Sequence, residues 1–438
     1  MVRFALGQAV AICLQAVSSP RWSGPSKIAI AGAIEDCDQE IAPVPNLGND
    51  MNDVVDKQAL ILAGGGARAA YQVGALRHIA RTIPDWRPQI LTGISAGAIN
   101  AIHLGSYRGP WHDSVEQLRA LWLGLDTDRV YRTEFRALLG KFLGAALPLL
   151  TGGRVGRDRI RGMVNTEPLR EYLSSALTMQ GDRVTGIAEN IAEGWLQSLA
   201  IITTDYDSGR STAWIEAEGK EMLGRGQIDI RFTNLSLSHV LASSALPLFF
   251  PAVAIDNHWH GDGGVRLTAP LSPALHLGAT RILAVSPRKR PTATPRPESA
   301  ELSLYPAPAQ IAGIMLNAIF LDNLDYDALQ MTRINKLLHA GGEEAHAGMR
   351  PVEVMVLRPS QDLGVLAKEN EFRLPRSFRF FEQGLAGKNM KSADALSMVN
   401  FEPEYLSTLI RMGEEDAAAR HDEIEAFLRG GSCAVPVW

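Results

Sequence analysis

The sequence predicts an α/β fold with a largely parallel central sheet, because short apolar runs alternate with helical patterns and the alternation occurs twice. Apolar runs at Ala59 to Ala63 and Ile90 to Ile94 are each followed by a helical stretch. A second block contains strand-like runs at Leu199 to Thr203 and Arg281 to Ser286. Parallel strands joined by crossover helices produce this pattern, so we expect one sheet to include strands from both blocks.

The helices and one further strand follow from periodicity. An apolar repeat of about 3.6 residues predicts helices, and a short apolar run predicts a strand at Val352 to Leu357. We expect the remainder of the chain after this strand to be helical. The predicted helices are Ala67 to Ala80, Ala96 to Leu104, His239 to Leu246 and the long amphipathic stretch Ile311 to Leu338.

Composition shifts along the chain divide it into three parts. Residues 1–55 are rich in Pro, Gly, Ser and Asp and are predicted to be a leader and linker. Residues 56–290 are predicted to form the main domain, with an apolar helical insertion at Ala137 to Leu150. We expect residues 291–438 to form a helical extension packed on that domain.

The composition also narrows the function classes. The chain has 438 residues, of which 46% are hydrophobic and 21% charged, as in a globular protein with a large core. Its net charge of −5 gives no global attraction to nucleic acid, so no nucleic-acid partner is expected. Three widely spaced cysteines, Cys13, Cys37 and Cys433, exclude a disulfide scaffold and give no support to a zinc site.

The sequence leaves two alternatives for the cellular location of the protein. No run approaches the roughly 20 apolar residues that span a bilayer, so we expect a cytoplasmic or peripheral membrane protein. The alternative is secretion, because Arg3 precedes an apolar stretch that ends at Ser18 and Ser19, in the manner of a cleavable signal.

Residues Gly93 to Gly97 fit the pattern G-x-S-x-G and lie where an apolar run changes to a helical pattern. A serine on such a sharp turn projects its hydroxyl from the sheet, and the flanking glycines, Gly93 and Gly97, relieve the crowding of the turn. Ser95 is therefore a candidate nucleophile. For an isolated motif of this kind, a serine that only caps the helix is the alternative.

Two glycine-rich motifs accompany the serine. Gly64, Gly65 and Gly66 precede Arg68 after a strand, and consecutive glycines expose N–H groups that can cradle an anion or form an oxyanion hole. A nucleotide site would use the same physics, but neither common phosphate-binding pattern is complete here. In the second motif, Asp262 is followed by Gly263 and Gly264, and its carboxylate is a candidate base for the serine.

The three motifs, in this order, resemble those of the patatin-like phospholipase family. Gly74 and Asn100 also fit, as do the stretches Ala242 to Pro247 and Pro270 to Ala279, whereas Ala269 stands where many members have Asn. The resemblance extends over roughly Gln58 to Leu338. It implies a three-layer α/β/α sandwich and a lipid acyl hydrolase that uses a Ser-Asp dyad without a catalytic histidine.

The resemblance implies a two-step acyl transfer. Asp262 would take the proton of Ser95 as the serine attacks an ester carbonyl, and the loop N–H groups would stabilise the oxyanion. Because a free aspartate is a weak base, we expect the site to exclude water. Arg68 would support the loop or meet a lipid phosphate, with a surface salt bridge as the alternative.

Two other functions remain open at this stage. An ordinary Ser-Asp-His esterase would need His276, His339 or His421 as its base. An inactive membrane-binding regulatory module would need no turnover at all. We expect no cofactor and no metal, because no calcium-loop signature is present.

The expected partner is a phospholipid or related acyl lipid at a membrane surface. Residues 129–161 are locally basic around an apolar centre, which fits peripheral membrane contact. A buried helical hairpin with a solvated basic rim fits the same segment.

Overall fold

The computed structural model describes most of the chain after residue 55. The described residues are 56–131, 164–219, 228–247, 249–290, 322–341, 349–369 and 397–431, with 311, 314–315 and 317–319. The predicted leader and the helical insertion lie outside these residues. So does part of the predicted helix Ile311 to Leu338, and only residues 129–131 of the basic segment are described.

Within the described residues, a nine-stranded sheet dominates the fold. Its strands are β1 (Gln58–Leu62), β2 (Ile90–Ile94), β5 (Ser198–Asp205), β6 (Ser211–Ala217), β7 (Ile228–Phe232), β8 (Val253–Ile255), β9 (His258–Asp262), β10 (Arg281–Val285) and β11 (Glu353–Leu357). A separate pair contains β3 (Met179–Gln180) and β4 (Arg183–Val184). The main order is β11-β10-β1-β2-β5-β6-β7, and β9 pairs with both β5 and β8.

Helices connect and cover these strands. They are α1 (Ala70–Thr82), α2 (Ala96–Ser106), α3 (Trp111–Leu123), α4 (Thr127–Val130), α5 (Glu167–Ala176), α6 (Ile187–Ala192), α7 (Leu237–Ser243), α8 (Ser272–His276), α9 (Asn323–Ala340), α10 (Leu363–Glu369), α11 (Pro403–Ala419) and α12 (His421–Leu428). Short 3-10 helices span Gly66–Ala69 and Gly263–Val265.

The sheet is buried on both faces, which confirms the predicted sandwich. Successive side chains of a strand point to opposite faces, and β1 shows this directly. Leu60 and Leu62 belong to the hydrophobic core that includes α1, α2, α3 and α11. Ala59 and Ile61 belong to a second core, which includes Ala328 of α9. A sheet with helices on both faces needs strands with apolar side chains on both faces, as β1 has.

The parallel strands bring the site elements to one edge of the sheet. β1, β2 and β5 are mutually parallel, so their carboxyl ends lie together. The glycine loop follows β1, and Ser95 follows β2. β9 runs antiparallel to β5 and places Asp262 opposite Thr203. Ser95 and Asp262 therefore approach each other from strands of opposite direction.

The antiparallel part of the sheet is a departure from the expected pattern. β6 and β9 both run antiparallel to β5, and neither strand was predicted. The predicted helix His239 to Leu246 is observed as α7, which begins at Leu237 and ends at Ser243. The predicted strand Val352 to Leu357 is confirmed by β11, so the residues after 290 also contribute a strand to the sheet.

The C-terminal helix α11 packs along α1, the helix that follows the glycine loop. Arg77 of α1 lies within ion-pair distance of Glu116 of α3 and Glu414 of α11, which ties the three helices together. No helix among the described residues has the length and apolar character needed to cross a membrane.

Candidate active site

Ser95 occupies a sharp turn between β2 and α2. Its backbone has φ 55° and ψ −131°, a conformation that non-glycine residues rarely adopt. A Cβ at Gly97 would lie 2.1 Å from the carbonyl oxygen of Leu62, and one at Gly93 would lie 2.6 Å from Cα of Ala98. The two glycines are therefore required by close packing around the serine. This geometry matches the predicted turn and leaves the hydroxyl free to face a partner.

Asp262 is the hydrogen-bond partner of the serine hydroxyl. Ser95 Oγ donates to Asp262 Oδ2 at 2.6 Å, and the Gly264 N–H donates to Asp262 Oδ1 at 2.9 Å. The backbone of Asp262 is held as well, because its N–H donates to the Ala245 carbonyl and its own carbonyl accepts from Thr204 Oγ1. The carboxylate is thus fixed at both oxygens.

Burial dominates the electrostatics of this pair. Asp262 has no solvent-exposed surface, and Ser95 is 5% exposed. Burial raises the pKa of the Asp262 carboxyl to about 7, although the hydrogen bonds from Ser95 and Gly264 oppose the shift. A carboxylate with this pKa is a far better base at neutral pH than one in water.

The glycine loop lies directly against the serine. A Cβ at Gly64 would lie 2.8 Å from Ser95 Cβ, and Gly65 and Gly66 line a cavity together with Ser95. In the part of the chain that the structure describes, the N–H groups of Gly65 and Gly66 have no hydrogen-bond acceptor. These two N–H groups are available to a developing negative charge near Ser95.

Arg68 is buried rather than placed at the surface. Its side chain is 3% exposed, and its Nε donates to Ser397 Oγ at 2.6 Å. Of the predicted roles, support of the glycine loop fits this contact, whereas a surface salt bridge does not. The contact also brings a residue of the C-terminal region to the loop.

Gly263 and Gly264 follow Asp262 in a short 3-10 helix. A Cβ at Gly263 would be 2.1 Å from the carbonyl oxygen of Ile202, so this position admits only glycine. The loop that continues from here is held by α9, because Asp327 accepts the Leu271 N–H at 2.7 Å. Ala269, which stands where many family members have Asn, therefore lies in a loop that is fixed by this hydrogen bond to α9.

The candidate histidines lie away from the Ser95–Asp262 contact. Among the described residues, no histidine hydrogen-bonds to either residue, and their direct 2.6 Å contact leaves no place for an imidazole between them. His339 Nδ1 lies 2.6 Å from the Asn335 carbonyl oxygen of its own helix, and His421 lies 3.4 Å from His78. His276 ends the short helix α8.

One group of side chains has the composition of a cation site. Asp205, Asp207 and His258 each place a ligand atom within 4.8 Å of the others. However, the Asp205 carboxylate already accepts the Asp207 N–H and the Ser208 hydroxyl, as is typical of a turn between antiparallel strands such as β5 and β6. The cluster is largely exposed, and its geometry is that of a turn.

Two features of the site are not predicted by the sequence motifs. Ser243, in the stretch Ala242 to Pro247, accepts the Ser95 N–H at 2.9 Å and donates to the Ile202 carbonyl at 2.6 Å. Residues 397–401 also reach the site, and three of them line the cavity beside Ser95. In the sequence, the stretch around Ser243 carries only the family resemblance, and residues 397–401 carry no motif.

The cavity beside Ser95 is small and mainly apolar. Its volume is about 40 Å³, and its walls include Ile99, Trp122, Leu246 and Phe250. A larger, more open cavity of about 310 Å³ shares Phe250 with it and has polar side chains in its lining. An apolar pocket beside a nucleophile suits a hydrocarbon group better than a polar one.

The fold and site define a class: an α/β protein with a serine on a strand-to-helix turn, hydrogen-bonded to a buried aspartate. Residues 60–275 match the family model described as patatin-like phospholipase, so this part of the chain is a patatin-like phospholipase domain. The family assignment supports a lipid acyl hydrolase in general terms. No curated protein matches the sequence.

Two solved structures show distant similarity to this chain. Human GIVD cytosolic phospholipase A2 is 12% identical, with 91% of this chain and 62% of that chain covered and a TM-score of 0.43. VipD from Legionella pneumophila is 11% identical, with 84% and 67% covered and a TM-score of 0.32. The chain thus spans less than two thirds of the human enzyme.

Proposed function

We propose that the protein is a lipid acyl hydrolase that cleaves carboxylic esters of phospholipids or related acyl lipids through Ser95 and Asp262. The observation that carries this proposal is the 2.6 Å hydrogen bond from Ser95 Oγ to the buried Asp262 carboxylate, inside a patatin-like domain. Neither residue needs a third group to complete the proton path.

In the first step, Ser95 Oγ attacks the ester carbonyl carbon while Asp262 accepts the hydroxyl proton. The carbonyl oxygen becomes an oxyanion, which accepts hydrogen bonds from the N–H groups of Gly65 and Gly66. As the C–O bond to the alcohol breaks, Asp262 returns the proton to the leaving oxygen. The alcohol departs and leaves an ester of Ser95.

In the second step, water attacks the acyl-Ser95 carbonyl and Asp262 accepts its proton. The same two N–H groups bind the second oxyanion. Collapse of this intermediate breaks the bond to Ser95 Oγ, which recovers its proton from Asp262, and the fatty acid is released. Asp262 alternates between base and acid, a role that a pKa near 7 suits.

The test measures ester hydrolysis by wild type, Ser95→Ala, Asp262→Asn and the double variant. p-Nitrophenyl butyrate and phospholipid vesicles are the substrates. We expect each single variant to lose about a thousandfold or more in kcat, and the double variant to be little worse, because the two residues act as one unit.

Matched controls separate chemistry from folding. Ser198→Ala removes a buried hydroxyl that has no partner among the described residues, and Asp327→Asn alters a second mostly buried carboxyl. Both should keep near-wild-type turnover. Wild-type-like activity of Ser95→Ala on every substrate would refute the proposal, and loss of activity in His276→Ala, His339→Ala or His421→Ala would favour the Ser-Asp-His alternative.

The lipid surface is the proposed partner. Peripheral contact through residues 129–161 stays a prediction, because the structure describes only residues 129–131 of that segment. In that short part, Arg129 donates to the Gly124 carbonyl and Tyr131 is buried.

A further inference from the structure

Residues Ser397–Phe401, here called the C-terminal wall, close one part of the cavity beside Ser95. Met398, Val399 and Phe401 are between 3% and 7% exposed and line this cavity. The wall lies more than a hundred residues beyond the family-matched region, which ends at residue 275. It is therefore a feature of this chain that the family motifs do not include.

The wall is seated on the glycine loop. Gly66 has φ +57°, and a Cβ there would lie 2.0 Å from the Met398 carbonyl oxygen. The contact is with backbone, which cannot rotate away as a side chain can. Arg68, from the same loop, donates to Ser397 Oγ. The loop that offers N–H groups to an oxyanion thus also fixes the position of the wall.

One further hydrogen bond holds the wall itself, and a second holds Glu402, the residue that follows it. The Tyr131 hydroxyl donates to the Val399 carbonyl at 3.0 Å, and Thr127 Oγ1 donates to Glu402 Oε1 at 2.7 Å. The Tyr131 ring packs near two aromatic rings of the cavity lining, 5.8 Å from Phe250 and 6.4 Å from Phe401, measured between centroids. The wall is part of the packed core at this place.

We propose that Val399 and Phe401 determine which acyl chains reach Ser95, an inference that rests on the proposed function. The space beside Ser95 has a volume of about 40 Å³, which is little more than the roughly 30 Å³ that one water molecule occupies in the liquid. A long alkyl chain therefore fits beside Ser95 only if the lining side chains move or are smaller. Since the wall is fixed by its backbone contacts, the size of its side chains sets how much room there is.

Phe401→Leu and Val399→Leu test the proposal in opposite directions. The first substitution enlarges the cavity and the second narrows it by about one methylene. We would measure kcat/KM for p-nitrophenyl laurate and for p-nitrophenyl butyrate. The laurate-to-butyrate ratio should fall about tenfold in Val399→Leu, the lower end of the effect of one methylene in an apolar pocket, and rise by at least that factor in Phe401→Leu, which removes three carbons.

The matched control is Phe427→Leu. Phe427 is 1% exposed and belongs to the same hydrophobic core as Phe401, but it does not line the cavity. This variant should lose stability and keep the wild-type ratio. If Phe401→Leu does not fold, the fall expected in Val399→Leu still tests the proposal.

The outcomes are distinct from a failure of the proposed function. If Ser95→Ala hydrolyses both esters as well as wild type does, the hydrolase proposal fails and this inference fails with it. If Ser95 is required but the ratio is unchanged in Phe401→Leu and Val399→Leu, only the role of the wall is refuted. A change of equal sign in both variants also refutes it, because general damage does not distinguish enlargement from narrowing.

Discussion

Asp262 combines complete burial with two hydrogen bonds, and the two effects act in opposite directions on its charge. Burial favours the neutral acid, whereas the Ser95 hydroxyl and the Gly264 N–H favour the carboxylate. Burial is the larger effect, so the pKa rises to about 7 instead of falling. Near neutral pH about half of this carboxylate is ionised and able to accept a proton, and its raised pKa gives it a higher affinity for that proton.

This pKa predicts the pH dependence of hydrolysis. Only the ionised carboxylate can accept the Ser95 proton, so kcat/KM for p-nitrophenyl butyrate should rise with pH and level off above about 7. Well below that pH, the rate should change about tenfold per pH unit. A stopped-flow profile corrected for spontaneous hydrolysis measures it. A profile that is flat from about pH 5 to pH 8, or that falls with pH, would contradict the assignment of Asp262 as the base.

Ser243 holds the strained serine turn through a chain of two hydrogen bonds. It accepts the Ser95 N–H and donates to Ile202 of β5. Its own hydroxyl does not contact Asp262 among the described residues, so we assign it a positioning role. Ser243→Ala should lower kcat by about ten- to hundredfold with little change in KM, because a lost hydrogen bond misplaces the nucleophile without removing substrate contacts.

The control for this prediction is Ser198→Ala, which removes a hydroxyl from β5 at another buried position. That variant should keep the wild-type kcat. Restoration of much of the rate by Ser243→Thr would support hydrogen bonding as the cause. An effect of Ser243→Ala on KM alone would be inconsistent with positioning of the nucleophile.

At the scale of elements, α1 and α11 approach each other through reciprocal glycine contacts. A Cβ at Gly74 of α1 would lie 1.8 Å from the Ile410 carbonyl oxygen, and one at Gly413 of α11 would lie 2.1 Å from the Tyr71 carbonyl oxygen. Both obstacles are backbone atoms. Close contact of these helices places α11, and with it the C-terminal wall, against the glycine loop.

Gly413→Ala should therefore lower the melting temperature, although alanine is the better helix former by about 1 kcal/mol. The added methyl group clashes with a backbone that cannot yield, at a cost of roughly 1–3 kcal/mol or more. Glu415→Ala, at an exposed position of the same helix, is the control and should change the melting temperature little. A more stable Gly413→Ala protein would show that the helices are not in close contact.

Sequence pattern predicts the strands that form apolar runs. It fails for strands that are polar and are defined only by the strand with which they pair. The runs that form β1, β2, β5, β10 and β11 are mostly apolar, as is typical of parallel strands that are covered on both faces. β9 contains His258, Trp259 and His260 and has no apolar run. It is a strand because it pairs with β5, about 57 residues earlier, and sequence periodicity does not report such a partner.

The site shows the same division. Ser95, Asp262 and the glycine loop lie in motifs because turns and close backbone approaches demand particular residues at fixed spacing. The C-terminal wall is held by a hydrogen bond from Tyr131 to the Val399 carbonyl and by one from Arg68 to Ser397 Oγ. Neither contact requires a recognisable sequence pattern. The place of the wall beside Ser95 follows from how α11 packs on α1, a tertiary contact that a linear pattern cannot express.

At the scale of the whole molecule, the buried carboxylate couples the proposed chemistry to stability. The folded protein holds a proton on Asp262 up to about pH 7, whereas the unfolded chain releases it near the ordinary value of 3.8. Between these pH values the folded state binds more protons. The contribution of Asp262 to stability is thus fully present below the unfolded pKa and is lost as the pH rises through about 7.

Asp262→Asn should remove this loss, since an amide does not ionise. We expect its melting temperature relative to wild type to increase between about pH 4 and pH 7 and then to level off, by several degrees in all. Other groups, such as Asp327, whose pKa burial raises to about 6, titrate in both proteins and cancel in the difference. Differential scanning calorimetry at a series of pH values measures it.

The control is Ser95→Ala, which is expected to be inactive but keeps the carboxylate. Its melting temperature should fall with pH at least as steeply as that of wild type, because loss of the Ser95 hydroxyl removes a hydrogen bond that favours the ionised form. A pH-independent difference between Asp262→Asn and wild type would mean that Asp262 ionises in the folded protein as it does in water. The two inactive variants thus separate loss of activity from loss of buried charge, and only the second should stabilise the fold.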